Sequence, residues 1–443
     1  MSITRSLIAE TMDTRLDGIP EAALDRMRRA FVDTVGTTYG GWPVIGRQLG
    51  AYAQDVGTRA EAVLVGAGWR TSCELAAGIN AQMARTMDFE EGGPGLHFAP
   101  SLIHTVLAVG QRTGASGAEM LATACVVYEI NARFHYAHRT GDIQRHIPVC
   151  LTLAAARLLG LDEATTNLAL GLSWNYPVRK SLLLRPPAPK RISRIGFGNL
   201  WQCQAGIQAA LLAMHGFGEL PDELEHRDDE YRIEELESSP EPFSYTADQL
   251  QLKVWPASRQ CQGALQLLRE VIAEQHLSID GIDRIVVGLP AFYLKPHMYD
   301  PSPQDYWEAI YSVQWAAALA ILDVEPGPEW FTDERLADPV VRELAARIEI
   351  EEDEASTPAW NKRYLADVIN TVEIHAVGRI HRRSVTMRNA IGGPGQPIPT
   401  EMLDSKFLRQ VRPRIGDDRA ARLLEALWSF ESATDANHLA GLF

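Results

Sequence analysis

The stretch Met87-Asp88-Phe89-Glu90-Glu91-Gly92-Gly93-Pro94-Gly95-Leu96-His97 concentrates the residue types that move protons. Carboxylates close a helical pattern, a glycine-rich loop follows, and a histidine stands just before the next helical pattern. A carboxylate at a helix C-terminus faces the negative end of the macrodipole, so something other than the helix must hold it there. Asp88 and His97 read as an acid/base pair brought together by the loop. In such a pair the carboxylate orients the imidazole and tunes its pKa toward neutrality. A solvated acidic turn with a surface histidine has the same spacing.

Cations that can meet an anionic substrate occur in two places. In Leu252-Lys253-Val254-Trp255-Pro256-Ala257-Ser258-Arg259-Gln260-Cys261, Lys253 and Arg259 flank a proline-stiffened turn, and Arg259 is capable of a bidentate grip on a carboxylate. An exposed basic turn at a domain boundary reads the same way. The densest positive charge runs from Arg179-Lys180 through Arg185 to Lys190-Arg191 and Arg194, threaded with Pro186, Pro187 and Pro189. It suits a stiff loop that draws in a polyanion, or one paired with the acidic stretch Asp222 to Glu237.

Other combinations read as structural. His135 and His138 stand three apart on a helical pattern with no third ligand nearby. His104 lies on an apolar helix face, the place of a satisfied core histidine. Gly92-Gly93 and Gly392-Gly393 have neither a preceding strand nor a following Gly-Lys-Ser, so neither is a phosphate loop. No Gly-x-Ser-x-Gly elbow and no His-Glu-x-x-His is present. No metal and no organic cofactor is expected.

The elements that must position these residues follow from periodicity. Pro20 and Glu21 open a helix whose stripe is Ala22, Leu24, Met27, Phe31 and Val35, closed by Gly40-Gly41. Ser72 and Ser101 are placed to cap further helices, and Ser116 with Glu119 has capping-box spacing before Met120 to Phe134. Ile147 to Leu159 and Leu200 to Met214 are apolar nearly all round, which predicts helices deep in a large bundle. After about residue 250 the pattern changes. Arg284 to Leu289, Arg347 to Glu351, and the pair Val372 to His375 and Ile380 to Thr386 around Gly378 read as strands, the last two as a hairpin. Helices over Trp307 to Leu322 and Pro339 to Ala346 lie among them. Gly392 to Pro399 reads as a return linker to a last helical stretch, Thr400 to Phe430.

A chain of 443 residues exceeds what one hydrophobic core usually serves. Its 46% hydrophobic and 22% charged residues are ordinary for a globular protein. The net charge of −15 repels phosphate backbones and anionic lipid, so neither nucleic acid nor membrane is an expected partner. No signal peptide and no membrane-spanning apolar run is apparent. Cys73, Cys125, Cys150, Cys203 and Cys261 are odd in number and widely spaced. They read as buried free thiols in a reducing cytoplasm.

Together these pieces resemble one family. Asn80 to Glu91, then His97 and Ser101, then Gly114-Ala115-Ser116-Gly117 is similar to the MmgE/PrpD signature. The likeness continues through Tyr128-Glu129, Ala132-Arg133, Ala154 to Leu161, Ala205 to Ala213, the Lys-x-x-Pro-x-x-Arg of Lys253, Pro256 and Arg259, Phe331 to Glu334, and Pro397 to Phe407. It spans nearly the whole chain in order. The resemblance implies a mainly α fold with an inserted α+β domain. Both chain ends (1–249 and 397–443) form a large helical domain, and 250–396 forms a smaller lid domain, usually in a homodimer. It implies a cofactor-independent lyase, a dehydratase or decarboxylase, that moves a proton beside a carboxylate of a small di- or tricarboxylate. An epimerase using the same pair, or a binding protein that has lost catalysis, is the alternative. Asp88, His97 and Lys253 fall on family active-site positions; Asp88 and His97 are expected to face Lys253 or Arg259 across a cleft between the domains, with Asp88 holding the His97 tautomer.

The departures from the family pattern fall on the substrate side. Arg85 replaces a histidine, Ser258 and Gln262 stand where lid histidines occur, and Trp315 replaces a tyrosine. Lys190 or Arg194 is expected to substitute for a family lysine. Substrate contacts are therefore expected from Arg259, Ser258, Arg85, Trp315 and Lys190 or Arg194, on a substrate larger or less highly charged than those of the best-known members.

Overall fold

The computed structural model describes residues 2–57, 59–95, 97–139, 144–176, 198–362 and 364–443. Helices predominate. Glu21–Gly40 ends at Gly41, as its Gly-Gly stop implies. Gly117–Ala137 begins with the complete Ser116/Glu119 capping box. Ile147–Leu158 is buried on nearly every side, as its all-round apolar sequence requires.

Two expectations about helices are corrected. Ser101 is not a cap: the helix Phe98–Thr113 starts earlier, and Ser101 accepts a hydrogen bond from Asn199 Nδ2 at 2.9 Å within it. The helix Asn199–Met214 buries one face but exposes Trp201, Leu212 and Met214 on the other. Apolar content alone does not say which face the chain itself covers.

Two large hydrophobic clusters organise the described residues. The first draws from Ile3 to Leu252 and again from Ile398 to Phe443, so the helices Thr400–Ile415 and Asp417–Trp428 return to the N-terminal half. The second draws from Trp255 to Ala376, with Met87 and Phe89 plugged into it from the first half.

The second cluster lies against a four-stranded sheet. A short antiparallel pair, β1 (Ala62–Leu64) and β2 (Trp69–Thr71), stands apart in the first half. The larger sheet comprises β3 (Ile282–Leu289), β4 (Ile348–Glu352), β5 (Ile369–Ala376) and β6 (Arg379–Thr386), in the order β4-β3-β5-β6. β3 runs parallel to β4 and antiparallel to β5. The predicted hairpin is β5–β6, turned by Val377 (φ 52°) and Gly378 (φ 70°), the conformation a two-residue mirror-image turn demands. Asn370, Val372, Ile374 and Ala376 alternate into the core. The helix expected over 307–322 is two, Tyr306–Ala309 and Val313–Ile321, because Ser312 breaks it and caps the second by accepting from Trp315 N at 3.0 Å.

Candidate active site

The helix Cys73–Ala84 ends at Arg85, and the chain then reverses through Asp88, whose φ is 53°. His97 enters the next helix with φ 68°. Non-glycine residues in the left-handed region cost energy and cluster at functional sites. Between them, Met87 and Phe89 point into the second cluster while Asp88 and Glu90 join the charged group beside it. Gly92 N donates to Gln251 O at 3.0 Å, which seats the loop against the segment leading to Lys253. Asn131 Nδ2 donates to Pro94 O at 3.1 Å, supporting the loop from the helix Gly117–Ala137.

Five side chains form one cluster. Lys253 Nζ donates to Asp88 Oδ1 at 2.6 Å and to the Asp88 carbonyl at 2.8 Å. Arg85 Nη1 lies 2.9 Å from both Asp88 Oδ1 and Glu90 Oε1. His97 Nδ1 lies 2.5 Å from Glu90 Oε1, and its Nε2 lies 3.7 Å from Asp88 Oδ1. Arg85, Asp88, Glu90 and Lys253 expose 3% of their side chains or less, whereas His97 exposes 14%. The imidazole is therefore the most exposed group of the cluster.

These positions correct two expectations. Glu90, not Asp88, takes the Nδ1 side of His97 and so holds its tautomer. Arg85 is turned inward onto two carboxylates, because a buried guanidinium needs charge partners more than it needs solvent. Burial would raise the Glu90 carboxyl, but Arg85, Lys253 and His97 together hold it down at about 2. Burial, reinforced by Arg85 and Lys253, lowers His97 to about 4. The ring is then neutral at pH 7, with Nδ1 against the Glu90 carboxylate and Nε2 on the Asp88 side. Asp88, Glu90 and His97 offer ligand atoms within 4.8 Å of one another, a spacing that suits a metal ion. The cations of Arg85 and Lys253 already balance the two carboxylates and oppose a third positive charge there.

The turn carrying Lys253 is built by a residue that sequence reasoning read only as a missing histidine. Gln262 Oε1 accepts from Val254 N at 3.0 Å and Trp255 N at 3.1 Å, while its Nε2 donates to the Trp255 carbonyl at 3.0 Å and the Ala257 carbonyl at 3.3 Å. Ser258 Oγ lies 2.6 Å from Tyr293 Oη, a hydroxyl pair beside Lys253 and Cys261. Arg259 is buried and lies across Gly92, where an added Cβ would come within 2.9 Å of its Cβ, Cγ and Cδ. Trp315, expected at the substrate, instead lies in the second core and donates from Nε1 to the Trp330 carbonyl at 3.2 Å. A wholly buried indole satisfied by backbone has no face left for a ligand. Lys190 and Arg194 lie outside the described residues.

Sequence reasoning also missed the support beneath the cluster. Lys406, from the returning chain end, donates to Asp33 Oδ1 at 2.5 Å, the Phe89 carbonyl at 2.7 Å and the Lys253 carbonyl at 2.8 Å. One ammonium thus ties the loop, the Lys253 turn and both chain ends together. The signal was a lone acid in the apolar run Ala30-Phe31-Val32-Asp33-Thr34-Val35. His104 is the satisfied core histidine its setting implied, with Nε2 2.7 Å from Thr38 Oγ1.

Over 474 aligned residues the chain is 24% identical to cis-aconitate decarboxylase from Homo sapiens, covering 100% of this chain and 94% of that protein. It is 22% identical to the Mus musculus protein of the same name, covering 100% of this chain and 93% of that one. Residues 6–230 match the MmgE/PrpD N-terminal domain and residues 255–431 the MmgE/PrpD C-terminal domain. The chain therefore belongs to the MmgE/PrpD family.

Proposed function

We propose that the protein is a lyase, a dehydratase or decarboxylase, acting on a small di- or tricarboxylate by proton transfer at a carbon beside a carboxylate, without metal or organic cofactor. The observation that carries the reading is the His97–Glu90 contact of 2.5 Å beside the Lys253–Asp88 pair of 2.6 Å. With Nδ1 turned to Glu90, Nε2 is the nitrogen that takes a proton from carbon. The negative charge that builds on the adjacent carboxylate meets Lys253 in a water-poor site, where fixed charges act most strongly. The imidazolium formed is stabilised by Glu90 and Asp88. In a dehydratase it returns the proton to the leaving hydroxyl as the electron pair forms the alkene; in a decarboxylase an imidazolium protonated from solvent gives its proton to the carbon that CO₂ leaves.

The two relatives named cis-aconitate decarboxylase support this reaction class. The altered substrate side, with Ser258 and Gln262 in place of histidines, supports a different substrate. The same reading takes 250–396 as a lid closing on the cluster and the protein as a homodimer. Exposed Trp201, Leu212, Phe217 and Leu220 supply an apolar face for a second copy, and light scattering tests that assembly.

The deciding experiment incubates a panel of di- and tricarboxylates with the chelator-treated protein in D₂O and follows the NMR spectrum. A new alkene or loss of CO₂ is expected. Deuterium exchange with inversion and no lost group assigns the same pair to an epimerase instead. Silence across the panel overturns the lyase reading.

A further inference from the structure

Arg259 is the described buried cation of this region that has no acid of its own. Arg85 and Lys253 are matched by Asp88 and Glu90, and Lys406 by Asp33. Arg259 retains 4% exposure, yet its Nε and Nη1 have no hydrogen-bond partner, and its Nη2 reaches only the Met387 carbonyl at 3.4 Å. It forms no ion pair with any described residue, and the stretch 177–197 contains neither Asp nor Glu. An uncompensated buried guanidinium is among the most costly arrangements a fold can hold. Burial lowers its pKa to about 9, which leaves it charged at neutral pH.

Its surroundings place it beside the reacting cluster. Tyr293 and Cys261 feel the charge of Asp88 and also act on Arg259. The stem lies on Gly92, in the loop that joins Asp88 to His97, and any side chain there would collide with it. Among the described residues the other polar groups on this side are the Ser258–Tyr293 hydroxyl pair, Gln262, whose amide is consumed by backbone, and the Glu91 carboxyl, which acts on Arg259 but is hydrogen-bonded to Tyr128 and backbone amides.

We propose that Arg259, laid across Gly92, anchors a second carboxylate of the substrate, one remote from the carbon that loses its proton, and that the substrate class is a dicarboxylate. This rests on the proton-transfer reading above for the role of the first carboxylate. Among the described residues one spare cation calls for one further carboxylate, and a guanidinium receives it through paired hydrogen bonds. Among the same residues a third carboxylate would meet hydroxyls rather than a spare cation.

Binding without turnover tests this separately from the chemistry. Succinate, glutarate and adipate, the matched monocarboxylates butyrate, valerate and hexanoate, and tricarballylate are titrated calorimetrically into wild type, Arg259→Met, Arg259→Lys and His97→Gln. At least one dicarboxylate should bind wild type and His97→Gln about tenfold or more tightly than its monocarboxylate. That margin should collapse in Arg259→Met and be partly kept in Arg259→Lys. Ligand-free Arg259→Met should melt at a higher temperature than wild type, because the unpaired charge is gone. The proposal is overturned by no margin in wild type, by a margin that persists in Arg259→Met, or by tricarballylate binding tenfold tighter than every dicarboxylate. Turnover retained by His97→Gln would instead overturn the proton-transfer reading and leave the anchor standing.

Discussion

His97 meets Glu90 through Nδ1 at 2.5 Å and Asp88 through Nε2 at 3.7 Å, so neighbouring acids of one loop take different tasks. Glu90 is held ionised and fixes the ring. Asp88 is gripped by Lys253 and Arg85 on the Nε2 side of the ring.

Exchanging Glu90 for Gln should therefore be nearly as harmful as removing the imidazole. An amide can donate to Nδ1 and leave the Nε2 lone pair protonated, the wrong tautomer for a base. Glu90→Gln and His97→Gln should each lower kcat by roughly 10²-fold or more, with KM changed less. Steady-state kinetics alongside circular dichroism checks this. Full turnover in a folded Glu90→Gln protein would return the orienting role to Asp88.

The same pair sets the acid limb of stability. The fold keeps His97 at about 4, below its ordinary 6.5, and Glu90 at about 2, below its ordinary 4.5. In both cases the unfolded chain takes up a proton first. Stability is therefore intact above about 6.5 and falls with acidification, through His97 from 6.5 to 4 and through Glu90 from 4.5 to 2. Urea midpoints of wild type and His97→Gln should diverge as pH drops from 7 to 4. Parallel curves would mean that His97 does not titrate as its surroundings dictate.

Much of this was legible in the residues. The Asp88 to His97 loop, the Lys253 turn and the β5–β6 hairpin follow from local spacing and composition, because each is a short-range feature. The division of labour between Asp88 and Glu90 was not, since it depends on left-handed backbone at Asp88 and His97, which no pattern of residue types dictates. The Arg85–Asp88 pairing was not legible either, because the helix ends at Ala84 and the chain reverses before Asp88. Trp315 was misplaced because a helix that is apolar all round does not say which partner buries it. Lys406 and Asp33 meet only when the last helices return to the first, a tertiary event beyond local reasoning.

That meeting can be measured. Lys406→Met leaves Asp33 buried without its cation and strips the Phe89 and Lys253 carbonyls of a donor. Breaking one side of a buried pair costs about 3 kcal/mol or more. Asp33→Asn with Lys406→Met removes both charges and should be milder than the sum of the single changes, with a coupling on the order of 1–3 kcal/mol in a double-mutant cycle. Strictly additive urea-unfolding energies would show that the two charges do not act as a unit.

Glu91 works in the opposite direction from its neighbour. Its carboxyl is wholly buried, accepting from Tyr128 Oη at 2.7 Å, Ala99 N at 3.2 Å and Gly93 N. Burial pushes its pKa up, and these hydrogen bonds only partly offset that, leaving it at about 7 against an ordinary 4.5. A folded pKa above the unfolded value means that the fold favours the protonated acid. The stabilisation is complete below about 4.5 and is lost as pH rises through 7. Glu91→Gln cannot ionise, so it should lack the decline that Glu91 imposes on wild type while sharing the His97 dependence. The variant should thus gain on wild type between pH 5 and pH 9 whatever its absolute stability. Urea melts of both proteins at a series of pH values supply the difference directly. A constant offset would mean that Glu91 enters the folded state already ionised, with Tyr128 and the two backbone amides outweighing its burial.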